Sequence, residues 1–317
     1  MTRGIILSGG WGTRLRPLTC TIPKTLMPVG NKPVIERQML LPKEAGVEEI
    51  VLAVSVMAED LRRYFKDGSR LGLKITYTNE ESPMGTAGAI KLAEEHLAGE
   101  NFFMLNGDVI LDFDFKALLE FHENMGGIGT IASKIVEDPS RYGVLIADEA
   151  TNKIQEFLEK SEFQPPGGKP VPMPINAGVY VLEPEVFSFI PPHKKVSIEH
   201  DVFPKLAKEK GLFHYPISGI WKDVGKPEEL LEGNLLLLRY LIENAGEATK
   251  NLIQDSVKVQ GSVKIHSPVM IGENVVIKPG CEIGPDVLIG NDVYIGENVK
   301  IKNSLIQDEV YISDGVK

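Results

Sequence analysis

The chain has 317 residues, 43% of them hydrophobic and 25% charged, with a formal net charge of −10. That length suggests two domains with a sizeable core, and no run approaches the roughly 18 apolar residues of a membrane span. The acid excess argues against nucleic acid as a general partner, and two cysteines, Cys20 and Cys281, provide neither a disulfide framework nor a zinc site. The N-terminus reads as a first strand and not as a signal peptide, and with the low cysteine usage this predicts a cytoplasmic protein.

Along the chain, Gly4–Ser8 reads as an apolar strand followed by a glycine loop. Val34–Ala45 has helical spacing, which Pro42 should distort or restart. Glu49–Val54 reads as a strand, Ala58–Lys66 as a helix, Leu73–Thr78 as a strand, Ala87–Leu97 as a helix and Asn101–Leu105 as a buried strand. This alternation implies an α/β domain with a mainly parallel sheet, whose ligands would sit beyond the carboxyl ends of the strands. Four further strands are expected at Ile128–Ser133, Gly143–Ala147, Lys153–Leu158 and Ile175–Leu182, with a Pro/Gly loop, Ser161–Pro174, as a lid or specificity element. A leucine-rich helix, Glu229–Glu243, closes this first domain, expected over 1–243, and a polar linker follows.

From Val257 the sequence falls into eight consecutive hexads. Val or Cys fills the first position (Val257 to Val299) and Val or Ile the third (Val259 to Ile301). Each hexad is a short strand with two inward apolar side chains and a turn, which predicts a parallel β-helix over 251–317. The register slips by one residue before Val310 and Ile312 resume it, and the sequence stops mid-hexad at Lys317 with no capping segment. Two expectations stay open there: a neighbouring subunit covers that end, or the natural chain continues.

Residues 1–35 hold five bases (Arg3, Arg14, Arg16, Lys24, Lys32) and no acid, which suits a phosphate-rich ligand. In the same stretch Gly9-Gly10-Trp11-Gly12-Thr13-Arg14 follows the first strand, and Pro23-Lys24 lies downstream. Glycines let backbone N–H groups approach phosphate oxygens, while Arg14 and Lys24 place fixed charge where pyrophosphate would develop. A Walker A loop is excluded by the missing Gly-Lys-Ser/Thr, and the dinucleotide fingerprint by Leu15 at its third glycine position.

With its continuation Leu15-Arg16-Pro17-Leu18-Thr19, this string resembles the signature of sugar nucleotidyltransferases, and in particular of mannose-1-phosphate guanylyltransferases with C-terminal hexapeptide repeats. The similarity extends through Glu80–Gly88, Leu105–Asp108, Ser140–Val144, Phe157–Lys160, Ile175–Gly178 and Trp221–Gly225. It implies a Rossmann-like mixed sheet and a left-handed coil. It also implies that Asp108 and Asp223 ligate Mg²⁺. Nucleotide would be bound by Gly9, Gly10, Gly12, Thr13, Arg14, Lys24, Glu81, Pro83, Gly85, Thr86 and Asp108. Gly143, Glu159, Lys160 and Asn176 would bind the sugar phosphate.

Each of these residues also has an ordinary reading: Asn106-Gly107-Asp108 as a turn, Asp223 as a loop residue, Glu159-Lys160 as a solvated pair, Glu80 and Glu81 as solvated carboxylates. Met84 stands where the resembled pattern has leucine. Cys20 and His266 carry no activating pattern. The implied reaction joins a nucleoside triphosphate, GTP foremost, to a sugar 1-phosphate, mannose 1-phosphate foremost, releasing pyrophosphate. Arg14, Lys24, Asp108 and Asp223 would be the catalytic groups. Uridylyl or thymidylyl transfer to glucose 1-phosphate, guanylyl transfer to a heptose phosphate, and a non-catalytic regulatory subunit are the competing readings. Hexapeptide-repeat acyl transfer is disfavoured by the short coil. Self-association through the β-helix is expected.

Overall fold

The computed structural model describes residues 2–317 except Ser161, 166–168, Lys210 and Glu247, so part of the expected specificity loop lies outside the described residues. In chain order, the buried apolar strand β1 (Arg3–Ser8) is followed by a loop and a hairpin of β2 (Pro28–Val29) and β3 (Lys32–Pro33). α1 (Val34–Glu44) runs on through Pro42, which sits in its last turn and neither breaks nor restarts it. β4 (Glu49–Val54), α2 (Ala58–Phe65) and β5 (Lys74–Asn79) continue the alternation. The single helix expected over 87–97 is two, α3 (Gly85–Leu92) and α4 (Glu94–Leu97), because Ala93 leaves helical geometry.

β6 (Phe102–Asn106) and β7 (Val109–Asp112) are followed by α5 (Phe115–Met125). The sequence reading passed over α5, although Asp114 caps it by accepting from the Ala117 N–H at 3.0 Å and Gly126 ends it at φ +65°. Then come β8 (Gly129–Val136), β9 (Val144–Ala147), β10 (Ile154–Leu158), β11 (Met173–Leu182), α6 (Phe203–Glu209), β12 (Leu212–Pro216), β13 (Ile220–Asp223) and α7 (Pro227–Asn244). Among the described residues no helix is long and apolar enough to cross a membrane.

These elements form two compact units. One comprises Met1–Gly12, Cys20–Thr25 and Ile35–Trp221; the other comprises Thr13–Thr19, Leu26–Val34 and Lys222–Lys317. Packing thus groups α7 and two pieces of the N-terminal loop with the repeats, whereas the sequence reading divides the chain once, between 243 and 251.

The first unit is built on a nine-stranded mixed sheet, whose main path runs β10-β9-β11-β6-β1-β4-β5. β1 pairs in parallel with β4 and β6, and β4 with β5, while β11 is antiparallel to β6. The central strands carry side chains buried on both faces, such as Ile5, Ile6, Phe102 and Phe103, as a sheet covered by helices requires.

The second unit is a stack of short parallel strands. β14 (Asn251–Ile253), β15 (Lys258–Val259) and β16 (Lys264–Ile265) begin it, and β17 (Val269–Ile271), β18 (Val276–Ile277) and β19 (Glu282–Ile283) lie over them. β20 (Val287–Ile289), β21 (Tyr294–Ile295) and β22 (Lys300–Ile301) repeat the pattern, and β23 (Ser304–Ile306) and β24 (Tyr311–Ile312) end it. Each strand pairs in parallel with the one a whole coil later, giving three separate faces. The expected inward positions are buried from Val269 to Ile301. The first coil, stacked on one side only, is less covered: Val257, Val263 and Ile265 are half-buried and Val259 is 47% exposed.

The slip of one residue lies in the last coil, where Val287 pairs with Ser304 and Tyr294 with Tyr311. One face also carries apolar side chains outward: Leu252, Met270, Leu288 and Leu305 receive Leu235 and Leu238 of α7. Buried Asn234 of the same helix accepts from the Gly30 N–H at 2.9 Å and so pins the β2–β3 hairpin.

Burial pushes the imidazoles of His122 and His214 below their ordinary value of 6.5, with Glu183 partly offsetting the effect at His122. The unfolded chain therefore binds more protons than the folded one below that value, and stability falls as the medium is acidified. The urea midpoint should drop between about pH 7 and about pH 5, and His214→Gln should shrink the drop. An equal drop in the variant would clear His214 of the effect.

Candidate functional site

From β1 the chain steps outward to β4 and β5, and then returns to lay β6 along the other edge of β1. The order therefore switches between β1 and β6, and sheets of this kind take ligands beyond the carboxyl ends at such a switch. The expected glycine loop and Asp108 emerge there together. Gly10 has φ +103°, a conformation open to glycine at little cost. The Gly107 N–H donates to the Leu7 carbonyl at 2.9 Å, and a Cβ at Gly107 would stand 2.6 Å from that oxygen. Glycine is thus what lets the turn bearing Asp108 close over the end of β1.

Lys24 Nζ donates to Asp108 Oδ2, an ion pair in which the lysine side chain is 14% exposed and the aspartate 36%. The buried hydroxyls of Ser8 and Thr25, 2.7 Å apart, tie the residue after Lys24 to the end of β1. From α1, Gln38 reaches the same turn. Its Nε2 donates to the carbonyls of Asn106 at 2.8 Å and Val109 at 2.7 Å, which bracket Gly107-Asp108. Gln38 is 1% exposed, and among the described residues its Oε1 has no hydrogen-bond partner. Leaving a buried acceptor unpaired costs about 1–3 kcal/mol.

The expected sugar-phosphate residues gather elsewhere in the same unit. The Asn176 N–H donates to the Gly143 carbonyl at 2.9 Å, and a Cβ at Gly143 would lie 3.7 Å from Glu159 Oε1. Asn176 Oδ1 accepts from the Gly178 N–H at 2.9 Å, and Nδ2 donates to the Tyr180 hydroxyl at 2.9 Å. Burial first, and then the Glu199 carboxylate, push the Tyr180 phenol well above its ordinary value, so it stays protonated. Lys160 follows Glu159 as an exposed side chain. Trp221 Nε1 donates to the Ala177 carbonyl at 2.8 Å and meets Tyr142 edge-on at 5.3 Å.

In the 80–88 segment, Gly85 admits a close backbone approach: at φ +75° a Cβ would fall 2.4 Å from the Val196 carbonyl oxygen. The Ala87 N–H donates to that same oxygen at 3.0 Å. Thr86 Oγ1 donates to Glu199 Oε2 at 2.7 Å and accepts from the Ile198 N–H at 2.8 Å, so its hydroxyl is engaged within the fold. Glu80 accepts from the Met84 N–H at 2.9 Å and shapes the loop, whereas Glu81 and Pro83 are exposed. A Cβ at Gly9 would come 3.3 Å from Ser55 Oγ and 3.8 Å from Glu80 Oε1.

Gly12 ends the first segment of the first unit, and the short turn that follows, Thr13–Leu15, carries Arg14 in the second. The Arg14 guanidinium packs on Gly225, where a Cβ would lie 3.2 Å from Cζ, and the Gly225 N–H donates to Glu229 Oε2 at 2.8 Å. Asp223 ends β13 just before this glycine. Arg14 and Gly225, distant in sequence, thus lie against one another.

Sequence reasoning missed Gln38, Tyr180 and Glu199. Gln38 had a signal: it falls on the apolar stripe of α1 with Val34, Ile35 and Met39, where a polar residue is out of place. Glu199 lies on a turn of π-helix, Ile198–Val202, a geometry that side-chain spacing does not reveal.

Residues 3–239 match the family described as Nucleotidyl transferase, and residues 265–317 match the GMPPB C-terminal domain. The mannose-1-phosphate guanyltransferase of Saccharomyces cerevisiae is 47% identical over 247 residues, which cover 75% of this chain and 65% of that enzyme. The chain thus spans about two thirds of the length of the curated relatives it matches. A Bacillus anthracis structure assigned as a glucose-1-phosphate thymidylyltransferase, in complex with sucrose, superposes with a TM-score of 0.67 at 28% identity over 74% of this chain and 95% of that one. HddC from Yersinia pseudotuberculosis, complexed with GMP-PN, gives 0.62 at 29% identity over 74% and 98%. With a family match over most of its length, and with a glycine loop and an aspartate turn at the switch point of its sheet, this chain belongs to the nucleotidyl transferase family.

Proposed function

We propose that the protein transfers a guanylyl group from GTP to mannose 1-phosphate, releasing pyrophosphate. The observation that carries this reading is the Lys24–Asp108 pair beyond the carboxyl ends of β1 and β6, next to a glycine loop suited to phosphate. The choice of base and sugar is supported by the yeast relative's name, and that of base also by the guanine nucleotide bound to HddC.

The reaction is an in-line displacement. An oxygen of the sugar phosphate attacks the α-phosphorus, a new P–O bond forms, and the bond to the β-phosphate oxygen breaks as pyrophosphate leaves. No covalent enzyme intermediate is needed, since the nucleophile is already an anion. Positioning and charge stabilisation then account for the catalysis. Lys24 and Arg14 would face the departing charge, and Lys160 would orient the nucleophile. Gly143, Glu159 and Asn176 would recognise sugar hydroxyls.

A hard divalent cation fits the donor set: Asp108 offers a carboxylate more than a third exposed, on a turn fixed from both sides. Asp108 and Asp223 are the carboxylates proposed to hold Mg²⁺, which when bound would neutralise charge on the phosphates. The resemblance further supports a left-handed coil that mediates self-association.

Pyrophosphate release should be at least about tenfold faster with GTP and mannose 1-phosphate than with UTP or with glucose 1-phosphate. No preference, or no release, would overturn the assignment. Asp108→Asn and Arg14→Ala should each lower kcat by about 10²-fold or more, as loss of a transition-state charge contact does. Asn176→Ala should raise KM for the sugar phosphate several-fold while leaving KM for GTP unchanged, and an equal change in both would remove Asn176 from the sugar side.

A further inference from the structure

We infer that Gln38 is a positioning residue: from α1 it sets the turn that presents Asp108 to the divalent cation and nucleotide. The inference rests on the nucleotidyl-transfer reading above. Three observations carry it. The Gln38 amide donates both of its hydrogens, at 2.8 and 2.7 Å, to the carbonyls of Asn106 and Val109, one on each side of Gly107-Asp108. Second, Gln38 is 1% exposed, so bulk solvent does not compete for these bonds in the native chain.

Third, the amide cannot be turned over to satisfy its own acceptor. Flipping it would aim Oε1 at two carbonyl oxygens, so the observed orientation keeps the two donors and strands Oε1. The amide is thus oriented by the two carbonyls of the turn, which carries the carboxylate. Lys24 fixes that carboxylate from its side chain, and Gln38 fixes the backbone beneath it.

The test uses the full chain and reads the binding of Mn²⁺–GTP by water proton relaxation, with urea unfolding measured in parallel. Gln38→Met keeps the volume and removes both donors. Gln38→Asn is the milder variant, which keeps the amide but shortens its reach. Leu206→Ala, at a buried position of α6, supplies a destabilised control. Gln38→Met should weaken Mn²⁺–GTP binding about tenfold, within the range for partners behind a metal ligand. Gln38→Asn should weaken it less, and Leu206→Ala should leave it unchanged at comparable loss of stability. Wild-type affinity in both Gln38 variants overturns the inference alone, as does an equal loss in the Leu206 control. Failure of the wild-type chain to bind Mn²⁺–GTP at all overturns the functional reading and this inference with it.

Discussion

Everything proposed for this protein depends on how closely the turn after β6 approaches the end of β1. The Gly107 N–H on the Leu7 carbonyl holds two chain segments together that are 100 residues apart in sequence, and a side chain at 107 would force them apart. Because of that approach, the glycine loop, Lys24 and Asp108 share one end of the sheet. A parallel sheet supplies a place for a ligand wherever strand order reverses, but it does not supply the chemistry. The chemistry comes from a lysine mostly withdrawn from water and a carboxylate left more than a third exposed. Buried on both sides, such a pair would be inert; with the carboxylate still partly open, it can exchange partners with an incoming cation or phosphate.

The parts legible in the sequence were those written in many residues at once. The hexad repeat was legible because each coil needs the same two inward side chains, and burial from Val269 to Ile301 follows that pattern. The strand alternation up to residue 106 was legible for the same reason. Single residues were harder. At Gly85 the missing side chain makes room for the Val196 carbonyl, and the Thr86 hydroxyl bridges Glu199 and Ile198, partners more than 100 residues away that the local sequence does not announce.

Gln38 is the opposite case. Its place on the apolar stripe of α1, with Val34, Ile35 and Met39, marks it as out of pattern but does not say what it holds. Its meaning comes from two carbonyls some 70 residues away. The division into units was equally hidden. Pieces of the N-terminal loop pack with the repeats because buried Asn234 recruits Gly30, and Asn31 reaches the Ile289 carbonyl at 2.8 Å.

The apolar column beneath α7 has a consequence for how such a chain can change in length. Leu252, Met270 and Leu288 recur once per coil, at the same 18-residue interval that joins Asn251 to Val269, and only their face is covered by the helix. Adding or removing an entire coil keeps later members of the column under α7. Adding one hexad leaves the interior pattern intact but turns everything beyond it by a third of a revolution, exposing leucines to water and offering the helix a polar face. Growth of the repeat array is therefore quantised by its outer surface in steps three times coarser than those its interior would accept.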